Sequence, residues 1–139
     1  MRHQVYGKKL NRDIKERKAL FKSLTLALIT NGKIRTTISK AKAVQSLIEK
    51  LVTHAKTGTE AATRQVSSFL ARKEAIQKLV GEIIPRFQDK IGGYLRIRHI
   101  GRRIGDGAQE VVLEWTVPEK KVIKKAVEKK NDKPKKKKV

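Results

Sequence analysis

The chain has 139 residues, of which 35 are Lys or Arg and 13 are Asp or Glu, so its formal net charge is +22. Such an excess opposes compaction and implies a polyanionic partner, either nucleic acid or an anionic membrane surface. The absence of Cys excludes disulfides and thiolate metal sites and fits a reducing compartment. The N-terminus lacks the apolar segment of a secretory signal, and the longest apolar run, Leu26 to Ile29, is far shorter than the ~20 residues of a membrane span. We therefore expect a soluble, cytoplasmic protein.

The charge pattern divides the chain after Val117. Residues 1–117 contain 24 basic and 10 acidic residues together with enough apolar side chains for a core, so we predict one globular domain there. Residues 118–139 contain 11 basic and 3 acidic residues, and this composition predicts a disordered tail. All Arg residues lie in the domain, whereas the basic residues of the tail are all Lys. Since Arg offers a planar fork to phosphate, we expect fixed contacts from the domain and diffuse contacts, or mere solubilisation, from the tail.

The first predicted elements are a helix and a short strand. Apolar residues at helical spacing, from Ile14 to Leu28, predict a long helix over residues 11–31, and Gly32 supplies its C-terminal stop. The opposite side of this helix is basic. Residues 33–38 are rich in β-branched side chains and predict a strand.

Three further helices are predicted next. Ser39 is expected to cap the second helix, which ends at Gly58. Thr59 begins the third helix, and the fourth begins at about Arg72 and is disturbed by Pro85. The predicted buried face of the fourth helix consists of Ile76, Leu79, Val80 and Ile83.

Beyond Gly93 the period of the pattern changes from 3.6 to 2, which predicts two strands, over residues 94–99 and 111–117. The glycine-rich and basic segment 101–107 between them predicts a hairpin turn. Trp115 alternates with aliphatic residues and is assigned to the core. The order α-β-α-α-α-β-β predicts an α+β fold of two layers, with the helices packed on one face of a small sheet.

Catalytic residues are not evident in the sequence. The three His residues, at positions 3, 54 and 99, are scattered, and no nucleophile elbow or phosphate-binding glycine loop is present. We therefore predict that the protein is not an enzyme and has no cofactor and no metal. Asp106, Glu110 and Glu114 form the most compact acidic set, so a nuclease with a metal-binding carboxylate cluster stays an alternative.

Basic residues in four clusters are the candidate RNA-binding residues. Acids are sparse around the first three clusters, since residues 1–58 hold 14 bases and 3 acids. Such an imbalance is what phosphate contacts require. Aromatic residues make up only 4 % of the chain; Tyr6 and Tyr94 could stack on bases, but recognition of backbone and shape is favoured over a stacking platform. The clusters are Arg2, His3, Lys8, Lys9 and Arg12; Lys15, Arg17, Lys18 and Lys22; Lys33, Arg35, Lys40 and Lys42; and Arg96, Arg98, Arg102 and Arg103.

Several stretches are similar to one protein family. They are Met1-Arg2-His3, Gly7-Lys8-Lys9-Leu10-Asn11-Arg12, Arg17-Lys18-Ala19-Leu20-Phe21, Ile34-Arg35-Thr36-Thr37, Lys40-Ala41-Lys42, Glu49-Lys50-Leu51-Val52, Gly92-Gly93-Tyr94 and Gly105-Asp106. Over residues 1 to about 117 the sequence resembles the bacterial-type large-subunit ribosomal protein seventeen family. This resemblance implies a two-layer α+β fold, a structural role, and a place on the large subunit, bound to its long (23S-type) ribosomal RNA. It also implies a position on the outer side near the peptide exit region, beside proteins such as number thirty-two.

We therefore expect a structural constituent of the large (50S) ribosomal subunit that neutralises phosphates where RNA segments converge and so supports subunit assembly and translation. It should have no membrane partner and no small-molecule substrate. A DNA-compacting protein is a rival interpretation, because charge alone does not distinguish DNA from RNA. A membrane-surface peptide is disfavoured, since no basic helix has a large exposed apolar face.

Overall fold

The computed structural model describes residues 8–118. The helices are α1 (Ile14–Asn31), α2 (Ile38–Thr57), α3 (Glu60–Leu70) and α4 (Lys73–Lys78), and α4 continues into a π-helical turn (Leu79–Ile83) and a 3-10 turn (Ile84–Phe87). The strands are β1 (Lys33–Thr37), β2 (Leu95–Arg102) and β3 (Gln109–Trp115). The order confirms the predicted α+β class. The predicted disordered tail lies, from residue 119 onward, outside the described residues.

The three strands form one antiparallel sheet in the order β1-β3-β2. Ile34 of β1 and Ile97 of β2 both pair with Leu113 of β3, so apolar residues of all three strands share one face. On β3 the residues Val111, Leu113 and Trp115 are buried, and the alternate positions are half-exposed or exposed. Only this face of the sheet is buried, because the described helices form a single layer against it, as predicted. Trp115 is only 4 % exposed, which confirms its assignment to the core.

Helix α1 begins three residues later than predicted. Leu10 and Asn11 have φ angles of 56° and 54°, a left-handed conformation that turns the chain before Asp13 takes the extended N-cap conformation. Ile14, predicted to face the core, is 59 % exposed, because the first turns of α1 extend past the buried core. The predicted stop is confirmed: Gly32 adopts a φ of 74° and its N–H donates to the Leu28 carbonyl.

The predicted cap of α2 is wrong. Ser39 lies inside the helix, and Thr37 is the N-cap residue, with no side-chain hydrogen bond to the helix. Thr37 is also the last residue of β1 and pairs with Glu110 of β3, so its extended backbone serves both elements and no loop is needed. The boundaries at Gly58 and Thr59 are confirmed, since the Thr59 hydroxyl accepts a hydrogen bond from the Ala62 N–H.

Pro85 changes the helix before it. In a regular α-helix Pro85 could not donate an N–H to the Gly81 carbonyl, and the proline ring would clash with that carbonyl. The chain widens into the π-helical turn at this point. The wider turn aligns buried residues at intervals of four, namely Ala75, Leu79, Ile83 and Phe87. Val80, predicted to be buried, is therefore rotated toward solvent and is 48 % exposed.

An aromatic cluster closes the core beneath the sheet. Phe87 packs edge-on against Tyr94 with centroids 5.3 Å apart, and Trp115 lies 5.9 Å from Phe87. Lys56 of α2 donates hydrogen bonds to the carbonyls of Phe87 (2.9 Å), Gln88 (3.2 Å) and Lys90 (2.6 Å). Its ammonium also lies 5.7 Å from the Tyr94 centroid. Because Tyr94 is only 1 % exposed, the idea that it stacks on a base is wrong.

Between residues 8 and 118 the chain forms no helix with the length and apolar character needed to cross a membrane.

Candidate nucleic-acid interface

The uncovered face of the sheet, which we call the open sheet face, is the first candidate interface. Strand β1 contributes Lys33 and Arg35 to it, and β2 contributes Arg96 and Arg98. All four side chains belong to exposed residues. Since β3 lies between these strands and neighbouring strands are about 4.8 Å apart, the cations form two rows roughly 10 Å apart.

The central strand places acids between these two rows. Arg96 donates from Nε and Nη2 to Glu114 Oε1 at 3.1 and 2.7 Å. Arg35 donates from Nε to Glu110 Oε2 at 2.9 Å, and its Nη2 contacts the same oxygen. The side chains of Glu110 and Glu114 are 12 % and 16 % exposed, whereas those of Arg35 and Arg96 are 65 % and 60 % exposed. The acids therefore hold the guanidinium groups in place while leaving them open to solvent.

The hairpin turn between β2 and β3 is also fixed by an ion pair. Arg103 donates from Nε and Nη2 to the two carboxylate oxygens of Asp106, at 3.0 and 2.5 Å. These hydrogen bonds, together with one from the Ala108 N–H, lower the pKa of Asp106 to about 2, and the Asp106 carboxylate raises the pKa of Arg103. Arg103 Nη1 also approaches Glu110 Oε1 at 3.9 Å. The side chain of Ile104, at the turn, is fully exposed.

These ion pairs bear on the nuclease alternative. The alternative depends on Asp106, Glu110 and Glu114. In the structure each of these three carboxylates is paired with an arginine. Residues 8–118 contain no group of three or more His, Asp or Glu side chains placed to hold a metal ion. The carboxylates thus orient cations within the sheet and hairpin.

A second surface lies between the start of α1 and the first half of α2, and we call it the helical groove. It has a volume of about 460 Å³. The chain segment before α1, α1 itself and α2 all contribute to it, and no acid is among the described residues that line it. The lining residues are Lys8, Arg17, Phe21, Lys42, Ala43, Ser46, Leu47 and Lys50.

The structure regroups the basic residues predicted from the sequence. The helical groove unites Lys8, Arg17 and Lys42, which were assigned to three different clusters, and adds Lys50, which was not predicted. The spacing i, i+4, i+8 of residues 42, 46 and 50 on α2 could have indicated this shared face. The open sheet face unites Lys33, Arg35, Arg96 and Arg98, and Arg103 adjoins it through Glu110.

The other predicted residues that the structure describes are not part of these two surfaces. Arg2 and His3 are outside the described residues. Exposed positions are occupied by Lys9, Arg12, Lys15, Lys18 and Arg102, whereas Lys22 and Lys40 are half-exposed.

Fold and charge together define a small, basic α+β protein with one cationic sheet face and one cationic groove. Residues 20–116 match the family model described as ribosomal protein L17. The large ribosomal subunit protein bL17 of Koribacter versatilis (strain Ellin345) is 45% identical over 120 residues, covering 86% of this chain and 74% of that protein. Its counterpart in Methylacidiphilum infernorum (isolate V4) is 46% identical over 116 residues, covering 84% of this chain and 88% of the relative. The bL17 protein of Thermodesulfovibrio yellowstonii is 44% identical over 115 residues, covering 83% of this chain and 86% of that protein.

The chain belongs to the ribosomal protein L17 family. This membership confirms the resemblance inferred from the sequence. It also confirms that the chain has a structural rather than an enzymatic role, because the family is one of ribosomal components.

Proposed function

We propose that the protein is a structural constituent of the large ribosomal subunit that binds large-subunit ribosomal RNA by neutralising phosphates. The relatives described above are named large ribosomal subunit proteins. By this proposal the fixed contacts come from the basic residues of the domain, including Arg2 and His3, and the Lys-rich residues 118–139 add diffuse contacts. Binding would let RNA segments that repel one another pack together, and so support assembly.

The observation that carries this proposal is the open sheet face. Glu114 occupies the Nε and Nη2 groups of Arg96, which leaves Nη1 free to donate to another oxygen. Arg35 is held by Glu110 in the same way. A guanidinium whose position is already fixed loses less entropy when it binds a phosphate than a mobile Lys does. Each of the two rows contains one such fixed guanidinium beside a second cation, Lys33 or Arg98, and two rows of cations suit the paired backbones that border an RNA groove.

The helical groove provides a second contact on the helical layer. Its cations come from the segment before α1, from α1 and from α2, whereas the open sheet face lies on the other side of the sheet from the helices. A protein with cations on both layers can bridge two RNA segments, which is how it would act as a structural constituent. On the family resemblance, we further propose that its neighbours include ribosomal protein thirty-two near the peptide exit region.

Sedimentation tests this function directly. The full chain, tagged and expressed in a bacterium, is expected to sediment with 50S particles in a sucrose gradient. In binding assays, folded fragments of large-subunit RNA are expected to displace it from a labelled RNA more effectively than duplex DNA of equal length. Recovery only in the free-protein fraction would contradict the ribosomal role, and equal competition by DNA would favour the DNA-compacting alternative.

A further inference from the structure

The helical groove differs in chemistry from the open sheet face. Its lining includes the cations Lys8, Arg17, Lys42 and Lys50, which we call the rim, and the half-buried apolar residues Phe21 and Leu47, which we call the floor. Phe21 packs against the core on one side and is only partly buried, so it also presents apolar surface to the groove. A site for phosphate alone does not need an apolar floor. The combination indicates a ligand that has both an apolar flat part and negative charges.

We propose that the helical groove holds one unstacked nucleotide of RNA, with its base against Phe21 and Leu47 and its flanking phosphates on the rim cations. The inference rests on the proposed function, because that function supplies RNA as the occupant. It adds a kind of recognition that the open sheet face lacks: preference for a bulged or looped nucleotide over a paired one.

The dimensions of the groove fit this occupant. Its volume of about 460 Å³ lies within the range of roughly 300–1,000 Å³ in which proteins hold small molecules. Lys42 and Lys50 are eight residues apart on α2, which places them about 12 Å apart along the helix axis. Cations at this separation can contact the backbone on both sides of a single nucleotide. A base that is paired in an A-form duplex is stacked within the helix and cannot reach the floor.

The pairing of apolar and cationic lining favours RNA over the other anionic ligand that such a groove would accept, an acidic peptide. No acid lines the groove among the described residues, and Glu49, the single acid of α2, lines an adjoining hollow beside Tyr94 that shares Ser46 and Lys50 with the groove. The floor and rim together match a nucleotide, in which base and phosphate are covalently adjacent. The Ser46 hydroxyl in the groove wall adds a donor and an acceptor for a base edge or a ribose 2′-hydroxyl.

The test uses the full chain and three RNA hairpins that share one stem. One hairpin is fully paired, one carries a single-nucleotide bulge, and one carries an abasic bulge that keeps the phosphates but lacks the base. Affinities are measured at 0.1 M salt for the wild type and for three variants: K42A/K50A, F21L and the control R72A/K73A. The control removes the same charge from two exposed residues outside both surfaces.

The wild type is expected to bind the bulged hairpin at least fivefold more tightly than the abasic one, since stacking of one base on an aromatic ring has about that effect or more. F21L should remove this preference. K42A/K50A should weaken binding to the bulged hairpin about tenfold or more, and the control should change it less than threefold. The preference is a ratio measured on one protein, so it is not altered by modest differences in the stability of F21L.

A crosslinking experiment keeps the proposal testable if F21L does not fold. The wild type is irradiated with a hairpin that carries 5-iodouridine in the bulge, and the crosslinked peptides are identified by mass spectrometry. Crosslinks to residues 17–21 or 42–50 are expected, and crosslinks confined to other parts of the chain would overturn the proposal.

The remaining outcomes separate this inference from the proposed function. If the wild type binds all three hairpins equally, the nucleotide site is wrong but phosphate binding stands. If K42A/K50A loses binding to a hepta-glutamate peptide and keeps the full wild-type affinity for the bulged hairpin, the groove is a site for acidic protein segments instead. If the wild type binds no RNA at low salt, both proposals fail.

Discussion

Two arginines of β2 offer a sharp test of the open sheet face. Arg96 and Arg98 lie two residues apart and face the same side of the sheet, but within residues 8–118 only Arg96 is paired with an acid, Glu114. Because the two residues are of the same type and both exposed, Arg98 is a matched control for Arg96. The informative variants are R98A, R96A and R96A/E114Q.

The expected losses differ because R96A leaves a carboxylate behind. One phosphate contact accounts for ~0.7–0.9 of salt slope, which amounts to about 1 kcal/mol, or fivefold in affinity, at 0.1 M salt. R98A should therefore weaken RNA binding about fivefold. In R96A the unpaired Glu114 also repels a phosphate roughly 8 Å away by about 0.5–1 kcal/mol, if the effective dielectric constant is ~40–80. The expected loss is then roughly 12- to 27-fold, and E114Q should restore R96A to about the level of R98A.

Fluorescence anisotropy with a labelled fragment of large-subunit RNA measures these affinities, and thermal melting checks that each variant is folded. Equal losses in R96A and R98A, with no recovery in the double variant, would refute the idea that Glu114 and Arg96 act as a pair at an RNA-binding face.

Three further predictions concern the fold itself. K56M should lower the free energy of unfolding by about 2–3 kcal/mol and the melting temperature by roughly 10 °C, because three carbonyls lose a charged donor; K50M, at an exposed position of α2, is the control. The pKa of Asp106 is about 2, below its ordinary 3.8, so its stabilising effect should be present above pH ~4 and lost as the pH falls toward 2. A carboxyl NMR titration should show this midpoint, and R103A should move it back toward the ordinary value. T59A should cost about 1 kcal/mol in urea unfolding, since the cap of α3 is lost.

The order and type of the elements could be predicted because they depend on local patterns. Periods of 3.6 and 2 separate helices from strands, and Gly32 and Gly58 mark helix ends through the left-handed conformation that glycine adopts freely. The errors arise where distant structure decides. Ser39 looked like a cap because the pairing of Thr37 with β3 is invisible locally, and Val80 looked buried because Pro85 adds a wide turn that changes the period.

The candidate site could be predicted in composition but not in arrangement. The excess of cations follows from counting, whereas the pairing of Arg35 with Glu110 joins residues 75 positions apart and depends on strand register. The helical groove likewise depends on how α1 packs beside α2, which no spacing along one segment reveals. From the sequence, Glu110 and Glu114 are therefore candidates only for the metal-binding cluster of a nuclease, whereas the structure shows that they hold arginines.

The salt dependence of binding between the full chain and folded large-subunit ribosomal RNA tests the central claim most directly. If roughly eight basic groups contact phosphate, the logarithm of the binding constant should fall against the logarithm of salt concentration with a slope near −6 to −7. A slope near −1 would contradict the claim that this protein works by neutralising RNA phosphates.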